Sequence, residues 1–127
     1  MGSRELLEGG CHCGGVRFRV AIEEFRASEC NCSMCTMKGI LHLIVTPDRF
    51  ELLSGGELLS TYTFNTGVAK HRFCRVCGIH PFYTPRSDPD KVDVNIRCFD
   101  GDAWRRFKLS SFDGKHWESA YAEREAR

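Results

Sequence analysis

The sequence predicts a mainly β fold of antiparallel sheets, with cysteine-bearing turns and a short C-terminal helix. Twelve glycines and four prolines divide the 127 residues into short segments. Several of these segments alternate apolar and polar residues, which is the pattern of a strand with one buried face. Seven of the eight cysteines fall into three short clusters, and the paired ones lie beside glycines, as they do in metal-binding turns.

Seven segments carry strand patterns. Residues 16–20 alternate apolar and basic side chains, and residues 59–64 alternate again before the turn at residues 65–67. Residues 40–45 form a β-rich run that Pro47 ends. The predicted strands are residues 16–20, 40–45, 50–53, 59–64, 70–73, 81–84 and 92–99.

Only the tail of the chain predicts a helix. Residues 113–114 are its start signal, and it extends to about Glu125. Its apolar residues Trp117, Ala120 and Tyr121 lie three and four positions apart, so one face of the helix would dock on a sheet.

Length and composition predict one domain over residues 1–127. The mass of 14.5 kDa is near the commonest domain size, and a hydrophobic content of 42% is enough for a core. No apolar run is long enough to span a bilayer, and residues 1–10 lack the apolar stretch of a secretory signal. We therefore expect a cytoplasmic protein, in which clustered cysteines are more often metal ligands than disulfides.

The charge pattern disfavours nucleic-acid binding. The formal net charge is +1, whereas nucleic-acid binders usually show a basic stripe. The nearest equivalent consists of Arg97, Arg105, Arg106 and Lys108, and two aspartates interrupt it. We expect these side chains to lie in solvent, with neither a nucleic acid nor a membrane as partner.

Two cysteine pairs, Cys11 with Cys13 and Cys74 with Cys77, each lie beside a glycine that permits a tight turn. Such a turn points backbone N–H groups at the sulfurs and stabilises thiolate charge. Because two pairs provide four ligands, they predict one closed, structural zinc site that joins distant parts of the chain. The alternative is two separate thiol pairs or a redox Cys-x-x-Cys, which the lack of a βαβ pattern around Cys74 disfavours.

The third cluster contains Cys30, Cys32 and Cys35. Three thiolates on one zinc ion leave a position for a fourth donor, and an open position is what a catalytic zinc site requires. Water, a histidine or an outside thiol could fill it, and a bound thiol would lose its proton. These three cysteines are therefore predicted to be catalytic residues as well as metal ligands.

A histidine ligand would instead close the second site and make it structural. His42, His71 and His80 are the candidates, while His12 lies between two ligands and is expected to point outward. Cys98 continues an apolar alternation, which predicts a buried free thiol.

The cysteine motifs resemble those of a known family. Gly-Cys-His-Cys-Gly-x-Val-x-Phe at residues 10–18, Cys-Asn-Cys-Ser-x-Cys at 30–35 and Phe-Cys-x-x-Cys-Gly at 73–78 are similar to the glutathione-dependent formaldehyde-activating family. Residues 61–66, 71–74 and 82–87 resemble its short members and the related domain of centromere protein V. The resemblance extends from about residue 9 to residue 117, which is the expected core of the domain.

The resemblance implies a β-tent fold of antiparallel sheets that holds two zinc ions. It implies a structural ligand set of Cys11, Cys13, Cys74 and Cys77 and a catalytic set of Cys30, Cys32 and Cys35. The implied activity joins glutathione to formaldehyde as S-hydroxymethylglutathione, a carbon–sulfur lyase reaction written in reverse. The implied partner is a small-molecule thiol such as glutathione.

Further residues are candidates for contacts with the substrate. Arg86, Asn95 and Arg97 could meet the carboxylates of the tripeptide. Tyr83 could donate a hydrogen bond to a developing alkoxide, or it could simply pack beside Phe82. The alternatives to an enzyme are a non-catalytic zinc scaffold that engages a protein partner and a thiol-handling protein with a labile metal.

Overall fold

The computed structural model describes residues 4–64, 67–112, 116, 118–119 and 121–122. Ten strands and one short α-helix lie in the described residues, and short 3-10 turns connect some of them. The elements are β1 Glu5–Gly10, β2 Arg17–Ile22, β3 Arg26–Cys30, α1 Ser33–Lys38, β4 Leu41–Val45, β5 Phe50–Ser54, β6 Leu59–Tyr62, β7 Lys70–Cys74, β8 Phe82–Thr84, β9 Val92–Asn95 and β10 Lys108–Phe112.

The strands form two sheets. A three-stranded sheet has the order β1-β2-β5, and a seven-stranded sheet has the order β10-β3-β4-β9-β8-β7-β6. All neighbouring strands are antiparallel except β10 and β3, which pair in parallel. The mainly β prediction is confirmed. The expectation of purely antiparallel sheets is wrong, because a long connection after β9 brings β10 alongside β3 in the parallel direction.

The core lies between the two sheets, and Phe18 joins them. Phe18 on β2 is fully buried, and its ring stacks on Phe50 of β5 with centroids 5.8 Å apart. The same ring meets Phe82 of β8, in the large sheet, edge-on at 6.2 Å. Burying a side chain of this size is worth about 1.5–3 kcal/mol, so this aromatic contact holds the sheets together.

All seven predicted strand segments contain a strand, but the segment at residues 59–64 is a strand only over Leu59–Tyr62, and the last segment is also shorter than predicted. Only Val92–Asn95 is extended, and Ile96–Cys98 forms a 3-10 turn because the Asn95 side chain accepts a hydrogen bond from the Arg97 N–H. Asp93 is 2% exposed although its alternation places it opposite Val92 and Val94. The consecutive residues Asp93, Val94 and Asn95 are all buried, so side chains on both faces of β9 are covered.

The sequence pattern missed β1, β3, β10 and α1. The expectation that only the tail forms a helix is wrong, because α1 holds two of the three clustered cysteines, Cys32 as its N-cap and Cys35 within it. Six residues are too few to show an apolar helical period. The predicted tail helix, residues 113 to about 125, lies mostly outside the described residues. No helix of the described residues is long and apolar enough to cross a membrane.

Candidate metal centres

The first candidate centre consists of four cysteine sulfurs, those of Cys11, Cys13, Cys74 and Cys77. All four lie within 4.8 Å of one another. The sulfurs of Cys11 and Cys13 are 3.5 Å apart, and those of Cys13 and Cys74 are 3.8 Å apart. A tetrahedral zinc site with Zn–S bonds of about 2.3 Å has S···S edges of about 3.8 Å. The four sulfurs therefore fit a closed zinc site.

Two glycine turns place the paired sulfurs. Gly14 and Gly78 follow the pairs with φ values of 80° and 81°, in the left-handed region that favours glycine. The turns point backbone N–H groups at the sulfurs, as predicted, and the N–H of Val16 donates to Cys11 Sγ over 3.3 Å. Burial would raise the pKa of Cys77, but hydrogen bonds from backbone N–H groups and neighbouring thiols lower it to about 6. These turns stabilise thiolates before any metal is considered.

The four-cysteine cluster connects the two sheets. Cys11 and Cys13 lie in the turn between β1 and β2 of the small sheet, whereas Cys74 ends β7 of the large sheet. Cys11 and Cys74 also belong to the main buried core. A metal bound here would hold together segments more than sixty positions apart, so its binding free energy would contribute to folding.

The second candidate centre consists of three sulfurs around the start of α1. Cys30 is the last residue of β3, Cys32 caps the helix, and Cys35 lies one turn inside it. Their three sulfurs lie within 4.8 Å of one another. The Cys35 N–H donates to Cys32 Sγ over 3.3 Å, so the cap hydrogen bond also orients this sulfur.

The proton affinities within this cluster differ. The pKa of Cys32 is lowered, because its sulfur accepts hydrogen bonds from the thiols of Cys30 and Cys35 and from backbone N–H groups. The pKa of Cys35 is raised by the same contacts with Cys30 and Cys32 and by burial. One thiolate is therefore favoured, and deprotonating the other two sulfurs needs an added positive charge. A soft divalent cation such as zinc is suited to provide that charge.

No histidine, aspartate or glutamate joins either sulfur cluster among the described residues. His42, His71 and His80, the candidates for a fourth ligand, therefore lie outside the three-cysteine group. His12 is exposed, as predicted. Within the part of the chain that the structure describes, the second centre offers three donors and leaves room for an outside ligand.

Behind the three-cysteine cluster lies a buried polar group of His42, Asp93 and Tyr83. His42 Nδ1 is 2.9 Å from Asp93 Oδ2, and the Tyr83 hydroxyl is 3.3 Å from the same nitrogen. All three side chains are buried, and the Tyr83 ring packs against Cys35 and Ile40. Tyr83 is thus a packed aromatic whose hydroxyl is engaged inside the protein, which is the second of the two roles that the sequence allowed.

Lys38 adds a positive charge on the same side of the cluster. Its Nζ lies 3.1 Å from His71 Nδ1 and 4.3 Å from the centroid of the Tyr83 ring. The pKa of His71 is lowered to about 4 by burial and by the Lys38 charge, so neutral His71 can accept a hydrogen bond from Lys38. Sequence reasoning missed Lys38. The available signal was its position three residues after Cys35, but that spacing has meaning only once a helix is recognised.

A groove of about 440 Å³ opens beside Cys30 and Cys35. Glu29 and Arg97 are the charged residues of its wall, and Leu41 and Phe112 are among the apolar ones. This volume lies in the range of small-molecule sites.

The groove distinguishes among the predicted substrate contacts. Arg97 lines it. Arg86 instead forms an ion pair of 2.7 Å with Glu118. Asn95 is buried. Its Oδ1 accepts hydrogen bonds from the Leu41 and Arg97 N–H groups, and its Nδ2 donates one to the His80 carbonyl.

Cys98 belongs to neither cluster. It is a free thiol of intermediate exposure, less buried than predicted, and its sulfur donates to the His80 carbonyl over 3.8 Å. Burial, followed by the charges of Cys11 and Cys77, raises the pKa of Cys98 to about 12. Cys98 is therefore an unreactive thiol beside the four-cysteine cluster.

Comparisons with known proteins show which family this chain resembles. The family model described as "Glutathione-dependent formaldehyde-activating enzyme" matches residues 6–112, which include all seven clustered cysteines. A Halomonas elongata protein with the provisional name of glutathione-dependent formaldehyde-activating enzyme is 30% identical over 106 residues, covering 76% of this chain and 68% of that protein. A crystal structure of a Rhodobacter sphaeroides protein is 35% identical, has a TM-score of 0.69, and covers 75% of this chain and 89% of that chain.

Proposed function

The chain belongs to the glutathione-dependent formaldehyde-activating enzyme family, and we propose that it joins glutathione to formaldehyde as S-hydroxymethylglutathione. This is a carbon–sulfur lyase reaction in its reverse direction. The observation that carries the proposal is the cluster of Cys30, Cys32 and Cys35, which has no fourth protein ligand among the described residues and adjoins an open groove.

We propose that both centres hold zinc and that their roles differ. Cys11, Cys13, Cys74 and Cys77 would form the closed structural site, and Cys30, Cys32 and Cys35 would form the catalytic one. When bound, zinc supplies a charge that keeps a thiol deprotonated and a Lewis acid that polarises a carbonyl. The two-sheet core with its inter-sheet cysteine cluster supports the β-tent arrangement that the family implies.

The residues of the chain would orient and balance the charges of the reaction. In the proposed reaction the glutathione sulfur bonds the carbonyl carbon, the π electron pair moves to oxygen, and the thiol proton ends on that oxygen. The groove beside Cys30 and Cys35 would admit the thiol. Lys38 would act as a nearby cation: burial lowers the pKa of its ammonium group, and the negative charges of Cys35, Asp93 and Cys32 oppose that shift. Its contacts with His71 and Tyr83 hold it there.

The test must separate catalysis from the spontaneous addition of thiols to formaldehyde. Exchange NMR with carbon-13 formaldehyde measures how fast the label moves between its hydrate and the glutathione adduct at equilibrium. We expect the zinc-loaded protein to accelerate this exchange. The chelated protein and Cys32→Ser should give the protein-free rate.

A protein-free rate with the zinc-loaded protein would refute the enzyme proposal. That result, obtained with both zinc sites filled, would favour the non-catalytic scaffold.

The single-domain organisation and the cytoplasmic location remain predictions from the sequence. Within the family, the likeness to short members and to the centromere protein V domain also remains a prediction.

A further inference from the structure

Of the polar residues predicted to meet a substrate carboxylate, Arg97 alone lines the groove. It lies in the 3-10 turn Ile96–Cys98, is exposed, and forms no ion pair with a described residue. Its guanidinium carbon lies 4.9 Å from the centroid of the Trp104 ring. Stacking on a ring restrains a guanidinium while its N–H groups stay available to a planar carboxylate.

The opposite charge in the groove belongs to Glu29. Glu29 is exposed on β3, next to Cys30, and it too forms no ion pair with a described residue. Most other acidic and basic side chains near the sheets are paired, such as Arg17 with Asp100 and Arg106 with Glu5. Glu29 and Arg97 thus line one groove together with Cys30 and Cys35, and neither charge is paired with a described residue. Two such charges of opposite sign suit a ligand that carries both charges and a thiol.

We propose that this groove selects thiols that bear an amino-acid moiety: Arg97 binds a carboxylate, and Glu29 binds an ammonium group. The sulfur of the ligand then lies next to Cys30 and Cys35, which line the same groove. This inference rests on the proposed function, because it assumes that an outside thiol reaches the three-cysteine cluster. It makes the groove a specificity site for zwitterionic peptide thiols over neutral small thiols.

The test is a panel of four thiols titrated into cobalt-substituted protein and followed by the thiolate-to-metal absorption. Glutathione carries both charges, 3-mercaptopropionate only the carboxylate, cysteamine only the ammonium group, and 2-mercaptoethanol neither. Arg97→Gln should weaken glutathione and 3-mercaptopropionate by roughly tenfold and leave the other two unchanged. Glu29→Gln should weaken glutathione and cysteamine in the same way.

Arg105→Gln is the matched control. Arg105 stacks on the same Trp104 ring at 4.7 Å but does not line the groove. Arg105→Gln should lower the net charge and disturb the Trp104 ring as much as Arg97→Gln does, but it should leave the affinities for all four thiols unchanged. Equal weakening by both variants, or an unchanged glutathione affinity in Arg97→Gln, would overturn the assignment.

A ligand without a thiol separates this inference from the proposed function. S-methylglutathione carries both charges but has no thiol, so its calorimetric binding reports the groove alone. If no thiol changes the cobalt spectrum while S-methylglutathione binds in an Arg97-dependent way, the groove assignment stands and the proposed chemistry fails. If thiols change the spectrum and Arg97→Gln has no effect on any ligand, the groove assignment fails and the proposed chemistry stands.

Discussion

The sulfur of Cys13 lies 3.8 Å from the sulfur of Cys74, although the two residues are 61 positions apart in the chain. Cys13 belongs to the turn between β1 and β2 of the small sheet, and Cys74 ends β7 of the large one. The contact therefore closes the two-sheet core at one edge. A metal held by these sulfurs would act on the whole fold, whereas the three-cysteine cluster lies within one local segment of the chain.

The two clusters should consequently respond differently to the loss of a ligand. Cys74→Ser should lower the free energy of unfolding by about 4 kcal/mol or more, because losing a structural metal is among the largest single-site effects. Cys32→Ser should leave the fold intact and abolish glutathione-dependent exchange. Urea unfolding followed by circular dichroism measures the first effect, and exchange NMR measures the second. If both variants unfold alike, the division between a structural and a catalytic site is wrong.

Metal content gives a second prediction. Elemental analysis of the wild type should give close to two zinc ions per chain, and Cys32→Ser should retain one. Cys98→Ser is the control, because Cys98 lies outside both clusters and its loss should leave two ions bound. One ion in the wild type would contradict the two-site proposal.

Cys98 should resist alkylation in the folded protein. Burial raises the pKa of its thiol to about 12, so very little thiolate is present at about pH 8. Mass spectrometry after brief iodoacetamide treatment should find Cys98 unmodified, and denaturing urea should make it fully reactive. Rapid labelling without urea would show that the thiol is more accessible than its surroundings here imply.

Replacing one member of the buried His42–Asp93 pair should lower the free energy of unfolding more than replacing both members does. His42→Leu leaves the Asp93 carboxylate, which is 2% exposed, without the imidazole that lies 2.9 Å from it. We expect it to lower the free energy of unfolding by about 3–5 kcal/mol. Adding Asp93→Leu should restore part of this loss, so the double variant should be more stable than the sum of the single changes predicts. Strict additivity in urea unfolding would mean that the two side chains are not coupled.

The stability should fall in acid, with a contribution from His71. Burial and the Lys38 charge lower the pKa of His71 from 6.5 to about 4, so the unfolded chain binds the proton more tightly than the folded one. The stability from this residue is therefore complete above about pH 6.5 and is lost as the pH falls towards 4, by at most about 3 kcal/mol. His71→Phe, which retains an aromatic ring, should lose less stability over this range. Equal acid sensitivity of the two proteins in urea unfolding would contradict this contribution.

The sequence predicted the strands whose patterns are local and missed those without such a pattern. Strand β2 was predictable because Phe18 and Val20 alternate with arginines, and its buried and partly exposed faces follow that order. Strand β10 was not, because four of its five residues are exposed and only its parallel pairing with β3 orders it. Helix α1 has only six residues, which is too short for a helical sequence pattern, so the N-cap role of Cys32 could be recognised only from the structure.

The candidate centres divide in the same way. The seven clustered cysteines were evident from the sequence alone, because the spacing of the sulfurs within each motif is a local property of the chain. Only the tertiary structure decided that Cys11 and Cys13 face Cys74 and Cys77, and that Arg97, not Arg86 or Asn95, lines the groove. These relations depend on how two sheets pack through a shared core, and no local pattern of residues encodes the distance between segments that meet only after that packing.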